Sequence, residues 1–155
     1  MQKYRVMFIC TGNICRSPLA HAVFKHLIHK HGYESHIDVD SSGTGAWHVG
    51  EQADSRMRQT AKRHGVQLNH RSQQLKYRAL TDFNLLLTMD RHNYRDTLAL
   101  CRSDDERDKV RMFRDYDPEG KGDVPDPWYG GQDGFEDVWN IVYRTSKALL
   151  EKYAD

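Results

Sequence analysis

Cys10 and Arg16 are the two side chains whose types and spacing most directly suggest chemistry. A thiol is followed six positions later by a guanidinium, within Cys10-Thr11-Gly12-Asn13-Ile14-Cys15-Arg16-Ser17-Pro18. A thiolate attacks electrophilic centres such as phosphorus, and a planar guanidinium matches two oxygens of a phosphate group. Gly12 permits a tight turn and close approach of backbone to a ligand. If this segment enters a helix, its unpaired N–H groups and the positive helix end gather round an anion, and the same field favours the thiolate of Cys10. An in-line attack would then form an S–P bond that water later splits, with Arg16 and the loop amides stabilising charge on the equatorial oxygens. That chemistry requires no metal and no cofactor. The loop has a single glycine and no Lys-Ser/Thr after a second one, so it fits neither a nucleotide-triphosphatase cradle nor a dinucleotide fingerprint. As residue types alone, the pair suits equally a small buried thiol and a surface cation.

The flanking elements favour the chemical reading. Tyr4-Arg5-Val6-Met7-Phe8-Ile9 is a β-favouring run, and Ser17-Pro18 reads as an N-cap followed by proline at the first helical position. Leu19, Ala22, Val23, His26, Leu27 and Ile28 recur at helical spacing up to His31, where Gly32 stops the helix. His36–Val39 reads as a second strand, Ser41–Gly45 as a loop, and residues 51–64 as a helix closed by Gly65. Phe83–Met89 is a third strand, apolar throughout as expected when both faces are covered. Asp90–Leu100 follows as a helix, Lys109–Phe113 as a fourth strand, Gly120–Gly134 as a loop and Phe135–Tyr153 as the last helix. This alternation predicts an α/β fold: a three-layer, doubly wound, four-stranded parallel sheet with helices on both faces. The cysteine loop follows strand 1, where such sheets place ligands. No repeat or linker divides the 155 residues, so one domain spanning 1–155 is expected.

Composition narrows the partners. A formal charge of +1 supplies no global field for nucleic acid or anionic membrane, so any anion site must be local. Val6–Ile9 and Leu85–Leu87 are far shorter than the roughly 20 residues that cross a bilayer, and neither membrane insertion nor a signal peptide is expected. Three cysteines make a poor disulfide framework and suit a reducing, cytoplasmic compartment. The nine histidines show no metal-ligand spacing; His21, His26, His29 and His31 mostly occupy different helix faces, so no metal site is expected.

Cys-Thr-Gly-Asn-Ile-Cys-Arg-Ser-Pro resembles the phosphate-binding loop of the low-molecular-weight protein tyrosine phosphatases. Asp40-Ser41-Ser42-Gly43-Thr44, Trp47-His48-Val49-Gly50, Met89-Asp90 with Asn93, and Asp126-Pro127-Trp128-Tyr129-Gly130 resemble further motifs in the family's order. The resemblance implies phosphomonoester hydrolysis with preference for aryl phosphates, without a cofactor. It makes Cys10 the nucleophile, Arg16 the phosphate clamp and Asp126 the general acid. It implies that Ser17 donates to the Cys10 thiolate, and that Asn13, Ser41 and His70 hold the phosphate-binding loop of Thr11, Gly12, Asn13, Ile14, Cys15 and Ser17 in shape. Two departures, Thr11 in place of Leu and Gln73 in place of Arg, bear on the polarity of the rim and the choice of substrate.

A phenolate, whose conjugate acid has a pKa of about 10, leaves slowly unless a proton reaches it, so a carboxylic acid above the pocket is required. Asp115, Asp117 and Asp123 compete with Asp126, but only Asp126 lies between two prolines and ahead of two aromatic residues in the family pattern. A bell-shaped rate profile on the acid side of neutrality is expected from the thiolate and this acid. Trp47, Trp128 and Tyr129 are the expected aromatic walls, deep enough to admit phosphotyrosine and exclude phosphoserine. Cys15 could bridge to Cys10 and shield it from irreversible oxidation, or simply pack beneath the loop.

The expected partners are a tyrosine-phosphorylated protein or a small aryl phosphate, with a monomer favoured. Three alternatives stay open. A phosphate-binding module without turnover has no use for Cys10 and Asp126 together, and a redox sensor needs the two close thiols but no aromatic rim. An arsenate reductase of similar fold needs a further cysteine pair downstream, and only Cys101 follows.

Overall fold

A computed structural model describes residues 2–129 and 131–154, the side chain of Tyr129 excepted. Strand β1 (Tyr4–Cys10) is followed by helix α1 (Arg16–Lys30), β2 (Ile37–Gly43), α2 (Ser55–Arg63), α3 (Tyr77–Asp82), β3 (Leu85–Thr88), α4 (Arg91–Leu100), α5 (Asp104–Asp108), β4 (Val110–Met112) and α6 (Gln132–Ala154). 3₁₀ turns occupy Phe113–Tyr116 and Pro127–Tyr129. The strands are all parallel, in the order β2-β1-β3-β4, as the alternation of elements predicts.

Successive residues of a strand point to opposite faces, and here each face has its own core. Val6 and Phe8 of β1 with Leu85 and Leu87 of β3 pack against Leu19, Val23 and Phe24 of α1 and Val138 and Val142 of α6. Met7, Ile9, Leu86 and Val110 meet Leu75, Leu80 and Phe83 on the other side, with Tyr94 and Leu98 of α4 against them. Covering on both faces is why these strands read as unbroken apolar runs. Phe8 is fully buried and meets Phe24 and Phe113 edge-to-face, with ring centroids 5.7 and 5.4 Å away.

This topology places the chemistry. β1 is central, with β2 on one side and β3 on the other, so the strand order reverses at its carboxyl end and leaves a crevice there. Cys10 is the last residue of β1, Asp90 caps α4 just beyond β3, and the 120–126 loop follows β4, so all reach that end.

Several boundaries differ from the pattern read in the sequence. Ser17 is not an N-cap: α1 begins at Arg16, Cys15 occupies the cap without a side-chain hydrogen bond, and the Ser17 hydroxyl is engaged elsewhere. Ser41–Gly43 belong to β2, because pairing with β1 continues to Cys10 opposite Gly43. Residues 51–54 precede α2, which Asp54 caps by accepting from the N–H groups of Arg56 and Met57. Phe113 closes into a 3₁₀ turn, α6 starts at Gln132, and His26 lies exposed on α1. The short helices α3 and α5 escape a periodicity argument because neither completes two turns.

Candidate active site

The loop from Cys10 to Arg16 is curled by a single unusual residue. Asn13 has φ +56, the only positive value at a non-glycine position among the described residues. Its side chain is fully buried and completely bonded: Nδ2 donates to Ser17 Oγ (2.8 Å) and Ser41 Oγ (3.1 Å), while Oδ1 accepts from Gln73 N (2.9 Å) and His70 Nε2 (2.8 Å). Since Oδ1 only accepts, Nε2 of His70 carries the proton. The carbonyls of Cys10, Thr11 and Gly12 are drawn outward by Thr44 N, Gly45 N and Ser72 Oγ. The N–H groups of Gly12, Ile14, Cys15 and Arg16 find no protein acceptor among the described residues, which leaves them for an anion in the curve.

Cys10 lies at the base, with its Sγ 3.0 Å from Ser17 Oγ and accepting from Asn13 N at 3.2 Å. The Asn13 N–H donates to the sulfur, and the Ser17 hydroxyl stands within hydrogen-bond distance of it. Arg16 is 3 % exposed and its direction is fixed by donation from Nη1 to Asp90 Oδ2 (2.7 Å) and to the carbonyl of Val124 (3.0 Å). Burial works against its charge, but Cys10, the Asp90 hydrogen bond and the carboxylates of Asp90 and Asp126 outweigh that and hold the guanidinium charged. Asp126 stands at the mouth, half-exposed, with Oδ2 3.8 Å from Arg16 Nη2 and Oδ1 accepting at 3.0 Å from Trp128 N, inside the 3₁₀ turn that Pro127 begins.

Cys10, Thr11, Gly12, Ile14, Cys15, Arg16, Trp47, His48, Asp126 and Trp128 enclose one cavity of about 170 Å³. Trp128 is braced by Arg56, whose guanidinium lies over the ring at 5.5 Å and donates to the Trp128 carbonyl at 3.3 Å. Trp47 is 74 % exposed. Its ring lies directly over Gly45, where a Cβ would come within 1.8 Å of it. The expected wall at Tyr129 concerns a side chain outside the described residues. Cys15 and Cys10 are both free thiols, and burial first, then Asp54 and Cys10, push the Cys15 thiol far above the ordinary range.

Thr11 borders the cavity, with its hydroxyl accepting from Asn93 Nδ2 at 3.0 Å. Gln73 is not among the cavity residues. Its backbone holds Asn13, and its amide donates to Asp40 Oδ1 (3.0 Å) and the Ser41 carbonyl (2.8 Å), so its departure from the family pattern bears on loop shape rather than on the rim. Asp90 as the Arg16 partner, Ser72 as the partner of the Gly12 carbonyl, and Arg56 as the brace of Trp128 act across 74, 60 and 72 residues, separations that no local pattern reveals. Ser41 Oγ lies 3.2 Å from His70 Nε2, and His21 Nδ1 reaches the same hydroxyl at 3.2 Å. Burial, then the charge of His70, push His21 down to about 4, and burial lowers His70 as well, so both rings are neutral at neutral pH. A larger groove of about 420 Å³, between α1 and residues 66–70, has no cysteine in its walls.

Comparison with known proteins agrees with this geometry. The family model "Low molecular weight phosphotyrosine protein phosphatase" matches residues 5–155. A low molecular weight protein-tyrosine-phosphatase of Streptomyces coelicolor is 42% identical over 150 residues, 95% of this chain and 92% of that one. The crystal structure of a protein tyrosine phosphatase from Entamoeba histolytica superimposes with a TM-score of 0.93 at 36% identity, covering 97% of this chain and 96% of that chain. The structure of a drosophila arginine phosphatase superimposes with a TM-score of 0.89 at 28% identity, over 97% and 98% of the two chains. A cysteine cradle at the end of β1, an arginine fixed at the start of α1 and a match along nearly the whole sequence lead to one assignment: the chain belongs to the low molecular weight phosphotyrosine protein phosphatase family.

Proposed function

We propose that this enzyme hydrolyses phosphotyrosine and small aryl phosphates through a phosphocysteine on Cys10. The observation that carries the reading is the convergence of Cys10, Arg16 and Asp126 on one narrow cavity, bordered by a loop whose amides have no protein acceptor among the described residues. Cys10 Sγ attacks phosphorus as the aryl P–O bond breaks, and Asp126 passes its proton to the departing phenolate oxygen. Water then attacks the phosphocysteine, Asp126 takes the proton back, the S–P bond breaks and phosphate leaves. Arg16 and the loop amides bind the equatorial oxygens in both displacements, held in place beforehand by Asp90 and by the Asn13 network. Asp126, 3.8 Å from the guanidinium, reaches the leaving oxygen above the phosphate.

The walls favour a phenyl ring. Ile14, Trp47 and Trp128 offer apolar area, and a cavity of about 170 Å³ is small beside the roughly 300–1,000 Å³ of drug-sized sites. A tyrosine-phosphorylated protein is the natural partner, acted on by a monomer. The three free thiols suit the reducing cytoplasm.

Hydrolysis of p-nitrophenyl phosphate without metal, by the wild type, Cys10→Ser and Asp126→Ala, tests the mechanism. Turnover by the wild type, none by Cys10→Ser and a fall of about 100-fold or more for Asp126→Ala are expected, in line with the general-acid contribution of 10²–10⁴. A wild type that binds vanadate yet never turns over overturns it. Phosphotyrosine and phosphoarginine peptides presented in parallel test the substrate class; preference for phosphoarginine assigns the pocket to that chemistry instead.

A further inference from the structure

His21 on α1, Asp40 on β2 and His70 on the loop before α3 come from three separate segments. Each brings a metal-ligating atom to within 4.8 Å of the other two. His21 Nδ1 and His70 Nε2 both lie 3.2 Å from Ser41 Oγ, with the ring centroids 5.1 Å apart. Asp40 has no ion-pair partner among the described residues; its Oδ1 accepts only neutral donors, Ser41 N and Gln73 Nε2. A half-buried carboxylate with no cation beside it, next to two half-buried imidazoles, is a donor set that suits a borderline transition metal. Of the other charges facing His21, Asp38 adds to the negative field, while exposed Lys25 opposes it. The groove lined by His21, His26, His29 and His70 borders two of the three side chains, His21 and His70, and gives an ion a path to them from solvent.

We propose that His21, Asp40 and His70 form a binding site for zinc, and that filling it releases His70 from Asn13 and so disengages the phosphate loop. Tetrahedral Zn–N bonds of about 2.0–2.1 Å place neighbouring ligand atoms roughly 3.4 Å apart, so closure requires a movement of about an ångström. The ring nitrogens that face each other across Ser41 are His21 Nδ1 and His70 Nε2. Coordination requires the other tautomer of His70: through exchange with water Nε2 gives up its proton and Nδ1 takes one, so the imidazole stays neutral, and the bond from Nε2 to Asn13 Oδ1 is replaced with a bond to the ion. Asn13 then loses one of the two bonds its Oδ1 accepts, at a residue held in the left-handed region. Water entering from the groove completes the coordination.

Ion binding rests on no assumption about the reaction; only its effect on the loop rests on the phosphatase reading. Calorimetric titration of zinc into the wild type, Cys10→Ser, His21→Gln and Asp40→Asn tests the site, with Co²⁺ as a spectroscopic probe. The expected result is one ion per chain in the wild type and in Cys10→Ser. Binding should weaken at least tenfold in His21→Gln and in Asp40→Asn, with tetrahedral cobalt absorption free of a thiolate charge-transfer band. Should His21→Gln unfold, Asp40→Asn alone carries the comparison. Binding that Cys10→Ser abolishes, or that the folded variants leave within threefold of the wild type, overturns the site. For the coupling, zinc should inhibit turnover of p-nitrophenyl phosphate even at saturating substrate, and His21→Gln should need at least tenfold more zinc for the same inhibition. Inhibition that substrate competes away, or that His21→Gln leaves unchanged, overturns the coupling.

Discussion

Asp90 Oδ2 lies 2.7 Å from Arg16 Nη1 and so fixes the direction of a guanidinium that is 4 % exposed in its side chain. The other oxygen of the same carboxylate caps α4 by accepting from Asn93 N at 2.8 Å. Asp90 therefore joins the start of α4 to the clamp of the phosphate loop. Asp90→Ala leaves a buried charge with one partner fewer, a loss of about 1–3 kcal/mol, which is roughly 5- to 150-fold in affinity for vanadate or phosphate. Asp90→Asn keeps the cap but not the ion pair, and should lose affinity for the anion with little change in thermal stability. Vanadate inhibition constants and melting curves for both variants check this; equal affinity in all three proteins would mean that Val124 alone positions Arg16.

Gly43 sits opposite Cys10 in the β1–β2 register, and a Cβ there would lie 2.6 Å from the Thr11 carbonyl oxygen and 3.0 Å from Asn13 N. Both obstacles are backbone of the phosphate loop, so no side chain can swing aside. Gly43→Ala should therefore push the loop by several tenths of an ångström or more, and a misplacement of about 1 Å can cost a factor of about 100 in rate. The expected outcome is a folded protein with sharply reduced kcat for p-nitrophenyl phosphate. Retention of wild-type kcat would show that β2, not the loop, gives way.

These two residues show where the sequence is informative and where it stops. The Cys10–Arg16 cradle is legible because strand, loop and helix are contiguous, so patterning and a compact motif report it together. Asp126 is legible through its own motif and the need for an acid. Asp90 as the partner of Arg16, and Gly43 as the residue against which the loop packs, depend on strand order, which local periodicity does not encode. The Ser103–Glu106 pair that caps α5 is a legible start signal, since Ser103 Oγ accepts from Glu106 N at 3.2 Å, but the helix it opens has only five residues. Ser17 misleads for a physical reason: its hydroxyl serves the Cys10 sulfur rather than the helix end.

The two thiols of the loop should differ in reactivity. Burial, with the charges of Asp54, Cys10 and Asp126, keeps Cys15 protonated well beyond the ordinary thiol range, whereas Cys10 Sγ accepts from Asn13 N. Iodoacetamide at neutral pH should alkylate Cys10 at least about tenfold faster than Cys15, because the thiolate is the nucleophile. Peptide mapping by mass spectrometry reads the ratio; comparable labelling would contradict it. With peroxide, a Cys10 sulfenic acid and the Cys15 thiol would condense to a disulfide and water. That step should quicken as pH rises, since Cys15 must lose its proton.

Asp117 ties the start of the acid-bearing loop to α6. Its side chain is fully buried and accepts from Arg144 Nε (2.9 Å), Arg144 Nη2 (3.0 Å) and Arg114 Nε (2.9 Å), while Arg114 Nη1 donates to the carbonyl of Asp123 at 3.0 Å. Burial would raise the carboxyl pKa, but the hydrogen bonds from Arg144, Glu119 N and Arg114 outweigh it and hold the group below the usual carboxylate range. A pKa depressed in the folded state contributes stability that is fully present above the unfolded value of about 3.9, and is lost as pH falls through the folded value. Asp117→Asn should thus unfold at lower denaturant than the wild type at pH 7, by about 1–3 kcal/mol as for other buried groups deprived of a charged partner. The gap should narrow as pH falls below about 3.9, where the unfolded chain takes up a proton that the folded protein still excludes. Urea unfolding of both proteins at pH 7 and near pH 3 measures the two differences. A gap that widens in acid would mean that the arginines are held by other groups and that Asp117 acts only through its packing.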